Sequence, residues 1–191
     1  MMPQSISPLT DALFIVPIRD FPLDQVVGKK LDYYLKNQLP IKDIFSQFYL
    51  PVEQAVIESC LDLFRGNQSR VAQCLEINRN TLKKKIDLHK INIKSLLEKN
   101  FISSFLKQDL YVNNITGLDL LEISRLKISL LKPTFYDSNP LKTICRPVEQ
   151  KIIKISLAFF KDNHLRTALF LKISRNTLKK RLDFNNHHLR G

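Results

Sequence analysis

The chain has 191 residues, of which 44% are hydrophobic and 25% are charged, and this balance favours a folded globular protein over a disordered one. Lys and Arg outnumber Asp and Glu by 30 to 18, and the formal net charge of +12 favours a polyanionic partner, with nucleic acid ahead of an anionic membrane. The three cysteines have no CxxC spacing and indicate neither a disulfide framework nor a zinc site, which fits a reducing cytosol. With only four Gly and few alternating β-branched runs, the composition favours an all-α fold.

The first 21 residues carry no sign of membrane targeting. They lack a basic n-region, and their apolar run, Ala12–Ile18, is short and broken by Pro17. We therefore expect an N-terminal arm over residues 1–21 and a cytoplasmic location. The next segment, Pro22–Leu39, predicts a helix because its apolar residues recur at helical spacing. These residues are Val26, Val27, Leu31, Tyr34 and Leu35.

Three further helices are predicted between residues 52 and 88. Val52–Phe64 is amphipathic, and Pro51 suits its entry. Asn67 can cap a short second helix, and Asn78 can cap a third helix after the tight turn at 76–78. A short helix, a tight turn and a second helix make up a helix-turn-helix, which we place at residues 67–88. The side chains expected to face its core are Val71, Ala72, Leu75, Leu82 and Ile86.

The same unit occurs a second time in the chain. Pro51–Gln54 recurs as Pro147–Gln150, and Arg79–Lys84 recurs as Arg175–Lys180, both at an offset of 96 residues and without a gap. The offset predicts a second helix-turn-helix at residues 163–184.

The segments around the second copy follow from the same offset. Thr116-x-x-Asp119 resembles a capping box that opens a helix ending at Pro133, and this helix coincides with Pro22–Leu39 shifted by 96 residues. Residues 93–115 are expected to be a connector that contains a helix over Ile93–Leu110. Residues 187–191 are expected to be a tail.

The excess positive charge lies in two stretches of the chain that contain the predicted helix-turn-helix regions. Residues 65–94 and residues 161–190 each hold eight basic and two acidic side chains, and the rest of the chain is neutral. A Lys-rich helix face is usually only a solvated surface, but a capped and duplicated helix-turn-helix that holds all the excess charge favours contact with DNA. The lack of a nucleophile triad, of paired carboxylates in a Gly-rich cleft and of a GxxxxGK loop argues against an enzyme.

Three other features have ordinary explanations that we prefer. The adjacent His187 and His188 lack Cys or carboxylate partners at ligand spacing, so we expect a tail and no metal site. Cys60 and Cys74 lie on apolar helix faces and are expected in the core. Aromatic residues that could stack on single strands are expected to pack in the core or at an interface. These are Tyr33, Tyr34 and Phe101.

The segment Arg65–Ala72, RGNQSRVA, followed by Ile77–Lys85, INRNTLKKK, resembles the family of the factor for inversion stimulation, Fis. The resemblance runs over residues 22–92 and, with more divergence, over 116–186. Members of this family are homodimers whose first two helices interlock, and they bend DNA because their recognition helices lie closer together than one turn of the duplex. The resemblance therefore implies an all-α chain of two Fis-like units, each ending in a helix-turn-helix, packed as an intramolecular pseudo-dimer.

A fused dimer of this kind implies a core shared by the two units. Side chains of the first unit are expected to pack against those of the second. The first set is Leu31, Tyr34, Val56, Leu61 and Phe64, and the second set is Leu130, Leu131, Ile152, Leu157 and Phe160.

The resemblance also assigns roles to residues of the two helix-turn-helix regions. The base-reading position of the family falls on Arg79 and Arg175. Neighbouring contacts to DNA are implied for Asn78, Asn80, Thr81, Lys83 and Lys84, and in the second copy for Ser174, Asn176, Thr177, Lys179 and Lys180. Contacts to the DNA backbone are implied for Asn67, Ser69 and Arg70, and in the second copy for Asn163 and Arg166.

The second copy departs from the family pattern where Leu165 stands in place of Ser69, since an aliphatic group cannot bond a phosphate. Asp162 and His164 also differ from Gly66 and Gln68, and an acid beside a phosphate is unfavourable. We therefore expect the first copy to dominate DNA contact.

The resemblance implies a nucleoid-associated or transcription-regulating protein of the bacterial cytoplasm, with double-stranded DNA as its partner and with another Fis-like chain or RNA polymerase as further candidates. No cofactor, membrane or small-molecule substrate is expected. The alternative is a Fis-like interaction protein that pairs with or antagonises another DNA-binding protein without itself reading DNA.

Overall fold

The computed structural model describes residues 22–98, 119–131, 135 and 138–187. In these ranges the chain forms helices and contains no strand, which confirms the all-α prediction. The N-terminal arm, most of the predicted connector and the last four residues of the tail lie outside the described residues.

The described residues 22–98 contain five α-helices. They are α1 (Leu23–Lys36), α2 (Leu50–Leu63), α3 (Gln68–Cys74), α4 (Arg79–Leu88) and α5 (Ile93–Glu98). A π-helical turn at Phe45–Tyr49 leads directly into α2, which therefore begins before the predicted Val52. Pro51 lies in the first turn of α2, where its missing N–H leaves no helical bond unmade. The helix ends where Arg65 and Gly66 take positive φ values of 51° and 75°.

Four α-helices follow in the second half, namely α6 (Leu120–Leu131), α7 (Arg146–Phe159), α8 (His164–Phe170) and α9 (Arg175–His187). A second π-helical turn, Leu141–Cys145, leads into α7. The bounds of this turn, of α7 and of α8 coincide with those of Phe45–Tyr49, α2 and α3 at the 96-residue offset.

The start of α6 corrects the predicted capping box. The backbone N–H groups of Leu121 and Glu122 donate to Asp119 Oδ1 at 2.8 and 3.4 Å, so Asp119 is the N-cap and the helix begins at Leu120. Asp is among the most favourable residues at an N-cap, because its carboxylate accepts from the free N–H groups of the first turn. Thr116 itself lies outside the described residues.

The long helices of one half pack against those of the other half. Helix α1 lies against α7, and helix α6 lies against α2. Gly28 allows α1 to lie close to α7, because a Cβ atom there would lie 2.8 Å from Lys151 Cε and 3.2 Å from Ile155 Cδ1. At the second contact, the Arg125 guanidinium donates two hydrogen bonds to Glu58, at 2.7 and 2.8 Å.

Buried side chains from both halves form one cluster. Of the residues expected in the core, Leu31, Val56, Leu61, Ile152 and Leu157 are buried in it. Tyr34 packs edge-on against Phe48 with ring centroids 5.4 Å apart, which supports its expected packing role. Cys60 is buried and Cys74 half-buried.

The predicted core position of Leu131 is wrong, because its side chain is 43% exposed. Leu131 is the last described residue of α6. The side chain of Leu130 lies outside the described part of the chain.

Within the described ranges, no helix is long and apolar enough to cross a lipid bilayer.

Candidate nucleic-acid interface

Helices α3 and α4 form a helix-turn-helix in the first half, as predicted. The Asn67 side chain accepts a hydrogen bond from the Arg70 N–H at 3.2 Å and caps α3. The Asn78 side chain accepts from the Asn80 N–H at 2.8 Å and caps α4. Between the two helices, Glu76 takes a positive φ of 51°, which makes the turn tight. The five side chains expected to face the core, Val71, Ala72, Leu75, Leu82 and Ile86, are all buried.

Helices α8 and α9 have the same arrangement in the second half. Asn163 accepts from the Arg166 N–H at 3.0 Å, and Ser174 Oγ accepts from the Thr177 N–H at 3.0 Å. Lys172, the counterpart of Glu76, takes a φ of 53°. Asn163 and Ser174 therefore cap α8 and α9 as Asn67 and Asn78 cap α3 and α4.

The structure places the candidate contact residues on the outer side of these helices. Almost all of them are exposed. The exposed residues are Asn67, Ser69, Arg70, Asn78, Arg79, Asn80, Thr81, Lys83, Lys84, Asn163, Arg166, Ser174, Arg175, Asn176, Lys179 and Lys180. Thr177 is half-buried. Since Leu82, Ile86 and Leu178 point inward from the same helices, each basic face is available to a ligand as one surface.

The candidate N-caps have part of their hydrogen-bonding capacity committed within the protein. The oxygen atoms of Asn67, Asn78, Asn163 and Ser174 accept from backbone N–H groups. These side chains hold the first turns of the helices in place, so any contact with a ligand would use their remaining donors.

A buried carboxylate anchors α4 to α2. Glu53 Oε1 accepts from Lys85 Nζ at 2.7 Å, and its other oxygen lies 3.1 Å from His89 Nε2. Burial raises the pKa of Glu53, but the hydrogen bonds from His89 and Lys85 outweigh it and hold that pKa below its ordinary value. Tyr49 OH donates to the same carboxylate at 3.2 Å.

The second half has a simpler anchor at the equivalent positions. Glu149 Oε1 lies 2.8 Å from the Arg181 guanidinium. Here burial prevails, and the pKa of Glu149 is raised above its ordinary value although Arg181 and Arg146 oppose the shift. Neither anchor was predicted from the sequence. The recurrence of Glu53 as Glu149 within the repeated Pro-Val-Glu-Gln was the signal that could have found both.

Side chains from each half also contact the helix-turn-helix turn of the other half. Asn139 Nδ2 donates to the Leu75 carbonyl at 3.0 Å, and Lys142 pairs with Glu76. In the opposite direction, Lys172 lies 3.7 Å from Asp43. These contacts fix each turn relative to the rest of the molecule, and sequence reasoning missed them because the partners are distant in the chain.

The second helix-turn-helix carries the departures noted from the sequence on its exposed surface. Asp162, His164 and Leu165 are all exposed at the start of α8. Asp162 takes a φ of 59° where the first half has Gly66.

Within the described residues, no group of three or more His, Cys, Asp or Glu side chains could hold a metal ion.

The capped helix pair α3–α4, with its tight turn and outward basic face, defines this chain as a helix-turn-helix protein, and α8 and α9 repeat its geometry. Comparison with known proteins narrows this class to a family. The family described as "Bacterial regulatory protein, Fis family" matches residues 51–87. The DNA-binding protein Fis of Buchnera aphidicola is 40% identical over 74 residues, which cover 37% of this chain and 74% of that relative. The chain belongs to the Fis family.

Other relatives show the same family likeness. The DNA-binding protein Fis of Proteus mirabilis is 34% identical over 73 residues, covering 37% of this chain and 74% of that protein. The DNA-binding transcriptional regulator NtrC of Azospirillum brasilense is 40% identical over 57 residues, covering 29% of this chain and 12% of that protein. No solved structure matches the chain.

Proposed function

We propose that this protein is a non-enzymatic regulator that binds and bends double-stranded DNA through two helix-turn-helix units. Membership of the Fis family supports the DNA-binding part, since relatives in that family are named for DNA binding. The exposed basic faces of α4 and α9 support it independently. Arg79 and Arg175 would read bases, because a guanidinium can bond guanine O6 and N7 together.

We further propose that residues 22–92 and 116–186 are two Fis-like units fused into an intramolecular dimer. The observation that carries this proposal is the reciprocal packing of α1 on α7 and of α6 on α2. Each unit thus completes the core of the other, as interlocked subunits of a homodimer do. One polypeptide would then present both recognition helices.

DNA bending follows from the proposed dimer. Recognition helices of Fis-type dimers lie closer together than one turn of B-DNA, so a straight duplex cannot meet both. The contacts from Asn139 and Lys142 to the first turn would hold that helix-turn-helix at a fixed position against the other unit. The duplex would therefore be the part that changes shape.

Solution mass of the complex tests the fusion. Sedimentation of the 22.3 kDa chain with a short duplex is expected to give one protein chain per duplex, because one chain supplies two units. Two chains per duplex would contradict the intramolecular dimer while leaving DNA binding intact.

A mobility-shift titration tests DNA binding itself, and end-labelled duplexes read by energy transfer report the bend. We expect binding at low salt and a shorter end-to-end distance in the complex. Binding without shortening would retain the DNA-binding regulator and remove the bending. Absence of binding would favour the interaction protein that does not read DNA. The variant Lys83→Glu/Lys84→Glu serves as the control, because both side chains are exposed and their loss leaves the core intact.

A further inference from the structure

The second helix-turn-helix has an exposed apolar surface that the first one lacks. Leu165 and Leu169 lie one turn apart on α8, and they are 51% and 70% exposed. Their counterparts in α3 are the polar residues Ser69 and Gln73. A single exposed leucine is ordinary, but two on one face of a short helix, both replacing polar residues, indicate a surface with a ligand.

A further exposed apolar side chain lies at the end of α7, which leads into α8. Phe159 is 49% exposed, whereas its counterpart Leu63 is half-buried. The rings of Phe159 and Phe160 meet edge-on at 5.0 Å, and Phe160 meets Phe170 at 5.2 Å. This chain of rings joins the end of α7 to the end of α8.

Charge decides which occupant fits the surface. Lys161 and Arg166 are exposed on the same segment and outnumber the exposed Asp162 between them, and residues 161–190 carry a net charge of +6. A second copy of this chain would bring like charges together, which disfavours self-association. Duplex DNA would meet the cations, but leucine side chains offer no hydrogen bond to a phosphate. An acidic partner with apolar residues matches both features.

We propose that Phe159, Leu165 and Leu169 form a docking surface for an acidic amphipathic helix of a partner protein. The leucines at i and i+4 fit the apolar stripe of such a helix, and Lys161 and Arg166 fit its flanking carboxylates. The second unit then combines a recognition helix, α9, with a protein-binding face on α8. This goes beyond the proposed DNA binding and does not depend on it.

A labelled helical peptide of about 16 residues, with Leu on one face and Glu on its flanks, serves as the probe, and fluorescence anisotropy measures its binding to the full chain. The variant Leu165→Ser/Leu169→Gln installs the residues of the first half and so preserves solubility and fold. We expect it to weaken peptide binding about tenfold or more. Leu88→Gln is the matched control, because Leu88 is 59% exposed on the first helix-turn-helix and is expected to leave binding unchanged.

Four results would overturn the proposal. Equal binding of a peptide with Lys in place of Glu would remove the charge argument. Binding to anionic phosphatidylglycerol vesicles in place of the peptide would assign the surface to a membrane. A concentration-dependent mass of the free chain, abolished in the double variant, would assign it to a second copy. Binding of a peptide of residues 1–21 in place of the acidic probe would assign it to the N-terminal segment of this chain.

Affinity for DNA separates this proposal from the proposed function. We expect the Leu165→Ser/Leu169→Gln variant to bind a duplex at least as tightly as the wild type, since neither leucine can bond a phosphate and the Leu165→Ser substitution adds a hydroxyl that can. A loss of duplex affinity in that variant would place the leucines in the DNA interface and overturn the docking proposal. Failure of the wild type to bind DNA, with peptide binding intact, would count against the proposed function alone.

Discussion

Equivalent residues in the two halves occupy the same positions in the fold but have different partners. Glu53 and Glu149 occupy equivalent sites, yet their pKa values move in opposite directions. Glu53 has two basic partners, Lys85 and His89, whereas the anchor of Glu149 is the single guanidinium of Arg181. The hydrogen bonds from Lys85 and His89 outweigh burial at Glu53, whereas burial prevails at Glu149. The same backbone thus supports anchors of different strength.

The recognition helix supplies a prediction at the scale of single side chains. Arg79→Ala is expected to weaken specific binding by about 1–3 kcal/mol and to reduce discrimination between sequences, because a base contact is lost. Lys84→Ala is expected to weaken all sequences alike, because a phosphate contact carries no sequence information. Both side chains are exposed, so stability should not change. Titrations on a panel of duplexes measure the difference, and equal losses on every sequence from Arg79→Ala would contradict its base-reading role.

The two glutamates supply a prediction about pH. The folded-state pKa of Glu53 is lowered from 4.5, so its contribution to stability is present above that value and is lost as the pH falls through the folded pKa. Glu53→Gln should therefore lower the free energy of unfolding by about 2–3 kcal/mol near neutral pH, and less in acid.

Glu149→Gln is the matched variant, and its pH dependence should have the opposite sign. The pKa of Glu149 is raised, so the wild type gains stability relative to this variant as the pH falls through the raised value. Urea unfolding across the acid range measures both curves. Parallel curves for the two variants would show that the anchors do not differ as the structure indicates.

At the scale of helices, the sequence predicts the features that depend on residues close together in the chain. The N-caps at Asn67, Asn78 and Ser174 follow from side chains that satisfy nearby N–H groups, and the structure has them. The π-helical turns at Phe45–Tyr49 and Leu141–Cys145 were not predicted, since their extra residue per turn is accommodated by packing and leaves no periodic pattern. The contact of Asn139 with Leu75 was not predicted either, because these two residues are distant in the chain and meet only in the folded protein.

The crossing of α1 and α7 supplies a prediction for an element. Gly28→Ala should change stability little, because the nearest atoms belong to the flexible Lys151 side chain and Ala favours the helix by about 1 kcal/mol. Gly28→Leu should lower stability by about 2 kcal/mol, because a larger group must displace Ile155 as well. Thermal unfolding followed by circular dichroism compares the three chains. Equal stability of the Leu variant would mean that the helices do not approach as closely as described.

Across the whole molecule, the same architecture occurs twice but with unequal surfaces. Residues 65–94, which contain α3 and α4, and residues 161–190, which contain α8 and α9, each carry a net charge of +6. The second one has Asp162 where the first has Gly66, and Leu165 where the first has Ser69. An acid repels phosphates and an aliphatic side chain cannot bond them, so equal net charge does not imply equal contact with DNA.

Charge reversal in one copy at a time tests this asymmetry. We expect Lys83→Glu/Lys84→Glu to reduce duplex affinity more than Lys179→Glu/Lys180→Glu, although each pair removes the same charge from equivalent exposed positions. If about eight phosphates are neutralised in the wild type, the logarithm of affinity should fall with the logarithm of salt at a slope near −7, and the first variant should have the shallower slope of the two. Equal slopes and affinities would mean that both copies contact the duplex alike. A larger loss of duplex affinity from Lys179→Glu/Lys180→Glu would make the second copy dominant. It would contradict the expectation that Ser69 and Gly66 favour DNA contact by the first copy.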